Sequence, residues 1–164
     1  LIDGEIVEKS MATYEHGSIA ARFAQHFANY FDAASGLPGN VAVEARHRPT
    51  DDPFNDRIPD VSVVLGKRPI ARRGAANFIP DICIETQSPD QSLKTLREKT
   101  RFYLAHGGRY ALVVRPDRRS IEVYSADDEI ALLSAADALT FPDLLPGFSV
   151  EVGRLFPGSA DRPQ

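Results

Sequence analysis

The chain has a single cysteine, Cys83, so no internal disulfide is possible, and no Cys/His cluster has zinc-ligand spacing. No apolar run approaches the ~18–20 residues that a membrane span requires. A basic-then-apolar leader is also missing from the start at Leu1, and together these absences make a cytoplasmic protein without membrane contact the expectation. Nor is there an excess of positive charge: 19 basic against 23 acidic residues gives −4, which on its face argues against a polyanionic partner. Disorder is excluded too, because 43% of the 164 residues are apolar, enough for one globular domain.

Charge is nevertheless sorted along the chain. Residues 1–45 carry a net −4, residues 46–119 a net +6 and residues 120–164 a net −6. The middle is a basic island between acidic ends, which points to a polyanion site there unless it is only a solvated mixed-charge surface.

No linker divides the sequence, so residues 1–156 read as one domain and 157–164 as a flexible tail. Leu1–Val7 reads as a short strand with a turn at Asp3-Gly4. Ile19, Phe23, Phe27, Tyr30 and Phe31 recur at helical spacing and predict a helix over Thr13–Ala34, capped by Gly36. His26, at the edge of that stripe, reads as core rather than as a ligand. Val41–Arg48 alternates as a strand, and a polar Pro/Asp-rich stretch follows.

Two similar phrases come next, Arg57-Ile58-Pro59-Asp60 and Phe78-Ile79-Pro80-Asp81. Each opens a β-branched run, Val61–Leu65 and Ile82–Glu85, and each reads as a buried strand. The loop Gly66–Asn77 between them carries Lys67, Arg68, Arg72 and Arg73, and its length suggests a mobile or functional loop rather than a tight turn. Ser92 caps a second helix that stops at Gly107-Gly108. Strands are then expected at Arg109–Arg115, Ser120–Ser125, Ile130–Leu133 and Phe148–Val152. Helix, strands, helix and strands in that order predict an α/β fold with a mixed central sheet flanked by helices.

The chemistry gathers around Glu85, which ends an otherwise apolar strand and is costly there without a partner. Asp60 stands at the mouth of the other strand. Two carboxylates on adjacent strand ends suit a hard cation such as Mg²⁺, with water and phosphate completing its shell. Such a pair repels itself and pushes at least one carboxyl upward. Asp81 shares a strand face with Glu85, but four residues at ~3.3 Å separate their Cα atoms by about 13 Å, too far to share an ion. It reads as a residue that opens the strand. On the second helix Leu96, Lys99 and Tyr103 lie on one stripe facing the sheet, leaving Lys94, Glu98 and Arg101 to solvent. An inward lysine reads either as a structural ion pair or as an ammonium serving the Asp60–Glu85 site.

Taken in order, several short motifs resemble those of the Uma-type restriction endonucleases, part of the PD-(D/E)XK nuclease superfamily. They are Asp3-Gly4-Glu5, His16-Gly17, Ile58-Pro59-Asp60-Val61, Pro80-Asp81 through Glu85 with Ser88-Pro89, Glu98-Lys99 with Tyr103, and Leu145-Pro146-Gly147-Phe148. The resemblance spans nearly the whole chain. It implies a restriction-endonuclease-like fold, a Mg²⁺ (or Mn²⁺) cofactor, DNA as partner and hydrolysis of phosphodiester bonds. Asp60 matches the family's first acidic ligand and Glu85 its second. The superfamily's usual lysine, two residues after that acid, is replaced here by Gln87, and Lys99 matches the helix lysine that substitutes for it. Apolar residues would be expected where Thr86 and Gln87 stand. Glu5 matches a recurrent acid of the family's N-terminal segment and reads as an outer metal ligand or as hairpin decoration, while His16 reads first as a helix-start polar residue and second as a catalytic base.

Lys67, Arg72 and Arg73 are the expected DNA-phosphate contacts, and cutting two strands makes a homodimer plausible. Three readings follow: a Mg²⁺-dependent endonuclease, a catalytically weak or inactive nucleic-acid-binding relative, and an interaction domain with Asp60, Glu85 and Lys99 in an internal ion network.

Overall fold

A computed structural model describes residues 1–9, 11–33 and 37–158. Thr13 caps the first helix, its hydroxyl accepting the His16 N–H at 3.2 Å. The helix, α1 (Tyr14–Asp32), buries Ile19, Ala20, Phe23 and Phe27 along one stripe. It ends two residues short of the predicted Ala34, because Ala33 is already extended at φ −69°, ψ 160°. Ala34 and the expected cap Gly36 lie outside the described residues, as do residues 159–164 of the predicted tail.

Six strands form the main sheet in sequential order: β1 (Gly39–Val43), β2 (Val61–Leu65), β3 (Ile82–Thr86), β4 (Tyr110–Arg115), β5 (Ser120–Ser125) and β6 (Ile130–Leu133). Pairing is antiparallel except between β3 and β4, which are parallel and joined through the crossover helix α2 (Leu93–Ala105). The expected mixed α/β sheet flanked by helices is therefore present. A separate ribbon, β7 (Ala138–Phe141) with β8 (Leu145–Glu151), packs against α1, where Phe27 stacks on Phe148 with ring centroids 4.6 Å apart.

Side chains alternate across the buried strands. Val61, Val63, Ile82 and Ile84 join the core beneath α1, whereas Cys83 and Ala111 pack with Tyr103 of α2. Gly108 lets β4 start directly under the helix end, because a Cβ there would sit 2.8 Å from the Tyr103 carbonyl oxygen.

Larger differences from the sequence expectation fall in the strands. Leu1–Val7 is not a strand; the chain makes only an Ile2–Glu5 bridge around Asp3 and Gly4, both at positive φ. The strand expected over Val41–Arg48 starts at Gly39 and stops at Val43, since Glu44 turns to φ 55°. Beyond that break, His47 pairs with Arg57 and Ala76 as isolated bridges. The last strand starts earlier than Phe148, at Leu145, and its partner β7 was not anticipated.

Candidate active site

Antiparallel pairing sets Val61 against Ile84, and the Asp60 N–H donates to the Ile84 carbonyl at 3.0 Å. Asp60 and Glu85 thus meet at one end of the sheet, as their strands predict. Both are almost wholly buried, 1% and 2% exposed.

Glu85 is held from α2. Its Oε2 accepts from Lys99 Nζ at 2.9 Å and its Oε1 from the Tyr103 hydroxyl at 2.5 Å. Burial pushes its carboxyl above the ordinary range, Lys99 opposes, and the neighbouring Asp60 charge pushes it further up. The same burial and the Glu85 charge keep the Tyr103 phenol protonated, its pKa well above normal. Lys99 and Tyr103 therefore face the sheet, while Lys94, Glu98 and Arg101 are exposed.

Asp60 is more heavily compensated. Its Oδ1 accepts from Lys9 Nζ at 2.8 Å; its Oδ2 accepts the Thr86 N–H at 2.7 Å and lies 2.8 Å from His16 Nε2. The histidine nitrogen is close but poorly aligned for a hydrogen bond, and its Nδ1 sits 3.2 Å from Ser88 Oγ. Burial raises the Asp60 pKa, but His16, Lys9 and the Thr86 amide outweigh it and hold the carboxyl low. The two acids, side by side, are thereby pushed in opposite directions. His16 also lines a cleft of about 280 Å³ with Gln87, Ser88 and Asp117, which opens this end of the sheet to solvent.

Of the other residues singled out, Gln87 spends its amide on the Gln91 carbonyl at 2.9 Å, so it does not stand in for the lysine it replaces. Glu5 is exposed in the N-terminal turn and is not among the groups around Asp60. Asp81 accepts the Leu65 N–H at 2.8 Å at the opposite end of β2, in keeping with a strand-opening role. Lys67, Arg72 and Arg73 are exposed, and none forms a salt bridge among the described residues. His26 lines a surface cleft beside Arg22 and Arg154 instead of the core.

Two participants were missed. Lys9 comes from a segment without regular structure and bridges Asp60 to Glu44 Oε1, the latter at 2.9 Å. Helical spacing marks Tyr103 as a packing residue and does not by itself assign its hydroxyl to Glu85. No periodic pattern marks Lys9. For Tyr103 a usable signal existed, since the phenol shares Lys99's inward stripe and needs a buried partner.

Among the described residues no three His, Cys, Asp or Glu side chains converge as a metal cluster. The donor set of two carboxylates fits a hard cation that keeps several waters. Such an ion would share Asp60 and Glu85, and Lys9 would have to release Asp60 Oδ1.

No curated protein matches the sequence. A crystal structure of a "putative nuclease belonging to DUF820" from Anabaena variabilis ATCC 29413 is similar, with a TM-score of 0.79 and 24% identity over 94% of this chain and 87% of the other. That likeness shows a shared fold. Residues 1–153 match the family Uma2, described as "putative restriction endonuclease". With nearly its whole length accounted for by that match, the chain belongs to the Uma2 family.

Proposed function

We propose that the chain is a divalent-metal-dependent DNA endonuclease whose site is Asp60, Glu85, Lys99 and Tyr103. One observation carries this reading: two carboxylates buried side by side at a sheet end, one of them gripped by an inward lysine. Membership in the Uma2 family supports nuclease activity in general. Mg²⁺ or Mn²⁺ held by Asp60 and Glu85 would supply an activated water and a counter-charge for the leaving oxygen. Lys99 favours the ionised form of Glu85 against burial and would offset negative charge building on the phosphate. Tyr103, staying protonated, fixes the Glu85 rotamer by donating to Oε1. His16 braces Asp60 from the helix side, between that carboxylate and Ser88. Lys67, Arg72 and Arg73 are exposed cations suited to phosphate contacts. A homodimer would supply a second site for the second strand.

A second reading rests on Lys9. Because Lys9 and Lys99 already neutralise both acids, a binding protein with a closed ion network is consistent with the same geometry. Nicking of supercoiled plasmid in Mg²⁺ or Mn²⁺, with EDTA as blank, separates the two. The nuclease reading expects nicking in native protein, its loss in Lys99→Ala and its retention in Lys94→Ala. Plasmid left intact in both metals, with no heat of metal binding, would overturn it in favour of the ion network.

A further inference from the structure

A second cleft, about 690 Å³, opens between β1, the end of β2 and the segment that follows. It lies on the strand that Asp60 opens. Every second residue of a strand shares a face, so Ser62 and Val64 of β2 project together, with Asp60 immediately before the strand. Val64 lines the cleft, and Ser62 Oγ holds His47 Nε2 at 3.0 Å beside it. Four residues at ~3.3 Å put Val64 about 13 Å from Asp60. Cleft and candidate active site therefore lie toward opposite ends of one strand.

The lining divides by chemistry. Phe31, Val41, Val64 and Phe78 give apolar surface, with Arg68 stacked 4.8 Å over the Phe78 ring. Lys67 supplies a cation that forms no salt bridge among the described residues, and Arg46 and Arg68 add two more that also reach Asp56 at 3.5 Å and Asp81 at 3.6 Å; the one acid in the lining is Asp32. His47 forms part of the wall, 3% exposed, and its Nδ1 has no well-aligned hydrogen bond. Burial pushes this histidine down to about 4, so it is neutral at pH 7 and offers a polar edge without charge.

Flat apolar surface, a stacked guanidinium and neighbouring cations together match one ligand class, a heteroaromatic base carrying a phosphate. We propose that this cleft takes one nucleotide of the strand being cut, its base against Phe78, Arg68 and Val64 and its phosphate on Lys67 and Arg46. This rests on the nuclease reading and deepens it. A base within a duplex stack cannot enter a concave pocket, so the nucleotide held here must be unpaired.

The test uses the full chain in EDTA and anisotropy of two labelled ten-unit probes: a thymidine strand, and an abasic phosphodiester of equal charge. Native protein is expected to bind the thymidine strand about tenfold tighter than the abasic chain, a stacking effect. Arg68→Ser and Ala71→Glu, both at exposed positions on the cleft, should bring that ratio to within about twofold. Equal native affinities with plasmid nicking intact would overturn this inference alone. No binding of either probe, with no nicking, would sink this inference and the nuclease reading together. Free thymidine monophosphate competing as well as the strand would refute the strand as occupant.

Discussion

Lys99→Ala removes the only cation paired with Glu85 among the described residues, a carboxylate that is 2% exposed, at a hydrogen bond of 2.9 Å. A hydrogen bond to a charged group is worth roughly 1.5–3 kcal/mol. Alanine returns a few tenths as the better helix former, and Lys99, with about a quarter of its side chain exposed, stands toward the weaker end. The net expectation is a loss of about 1.5–2.5 kcal/mol at neutral pH, or roughly 3–10 °C in Tm for a chain of this length. The sign of its pH dependence follows from Glu85. Burial and Asp60 already raise its carboxyl above the ordinary value, and losing Lys99 raises it further. A raised carboxyl binds its proton more tightly in the folded state, so stability is kept below the unfolded pKa and lost as pH rises through the folded one. The variant should therefore lag the native protein more at pH 7.5 than at pH 5. Glu85→Gln in the Lys99→Ala background should restore most of the loss at pH 7.5. Calorimetric melts of the native protein, both single variants and the double variant check this. A deficit independent of pH, or a double variant weaker than Lys99→Ala, would show that the lysine acts only as packing.

Three further outcomes are expected. Lys9→Ala frees Asp60 Oδ1 and should tighten Mn²⁺ or Mg²⁺ binding about fivefold in titration calorimetry, the equivalent of a part-exposed ion pair of ~1 kcal/mol; weaker binding would mean that Lys9 supports the metal site. His47, held neutral with a pKa of about 4, binds fewer protons folded than unfolded, so its contribution is lost as pH falls below the unfolded value. Lowering pH from 7.5 to 5 should cost roughly 2 kcal/mol through this residue in urea melts, and His47→Gln should lack that component. At Gly39 a Cβ would lie 2.1 Å from the Phe31 ring, so Gly39→Ala should cost about 1–3 kcal/mol of overpacking while leaving Glu85 chemistry untouched; a neutral thermal melt would mean that the ring swings aside freely.

Much of this was legible because local rules decide it. Ser92 caps α2 through the Thr95 N–H, Gly108 admits the Tyr103 carbonyl, and the Leu96–Lys99–Tyr103 stripe follows from helical period alone. The opposition of Asp60 and Glu85 was also readable, since two proline-opened β-branched runs make neighbouring strands. Lys9 was not readable, because a contact spanning 51 residues from an irregular segment leaves no periodic trace. The early end of β1 escaped for a different reason. Val41–Arg48 alternates well enough, but Glu44 takes a positive φ that non-glycine residues rarely adopt, so sequence offers no warning. β7 was hidden by its length, four residues whose burial becomes apparent only once β8 is in place.

The single parallel pairing in the sheet divides the site by time of assembly. Glu85, Lys99 and Tyr103 all belong to one β–α–β unit, and their contacts close loops of only 14 and 18 residues. Asp60 is fixed by contacts that reach 26 residues forward to Thr86 and 51 back to Lys9. Loop closure favours the short-range half during folding, and the long-range half is the one that local opening releases first. Amide exchange should accordingly show β3, α2 and β4 protected as a unit while the Thr86 amide, tied to Asp60, exchanges ahead of its strand neighbours. The acid pair is thus assembled from an early half and a late half, and only the late half depends on the N-terminal segment.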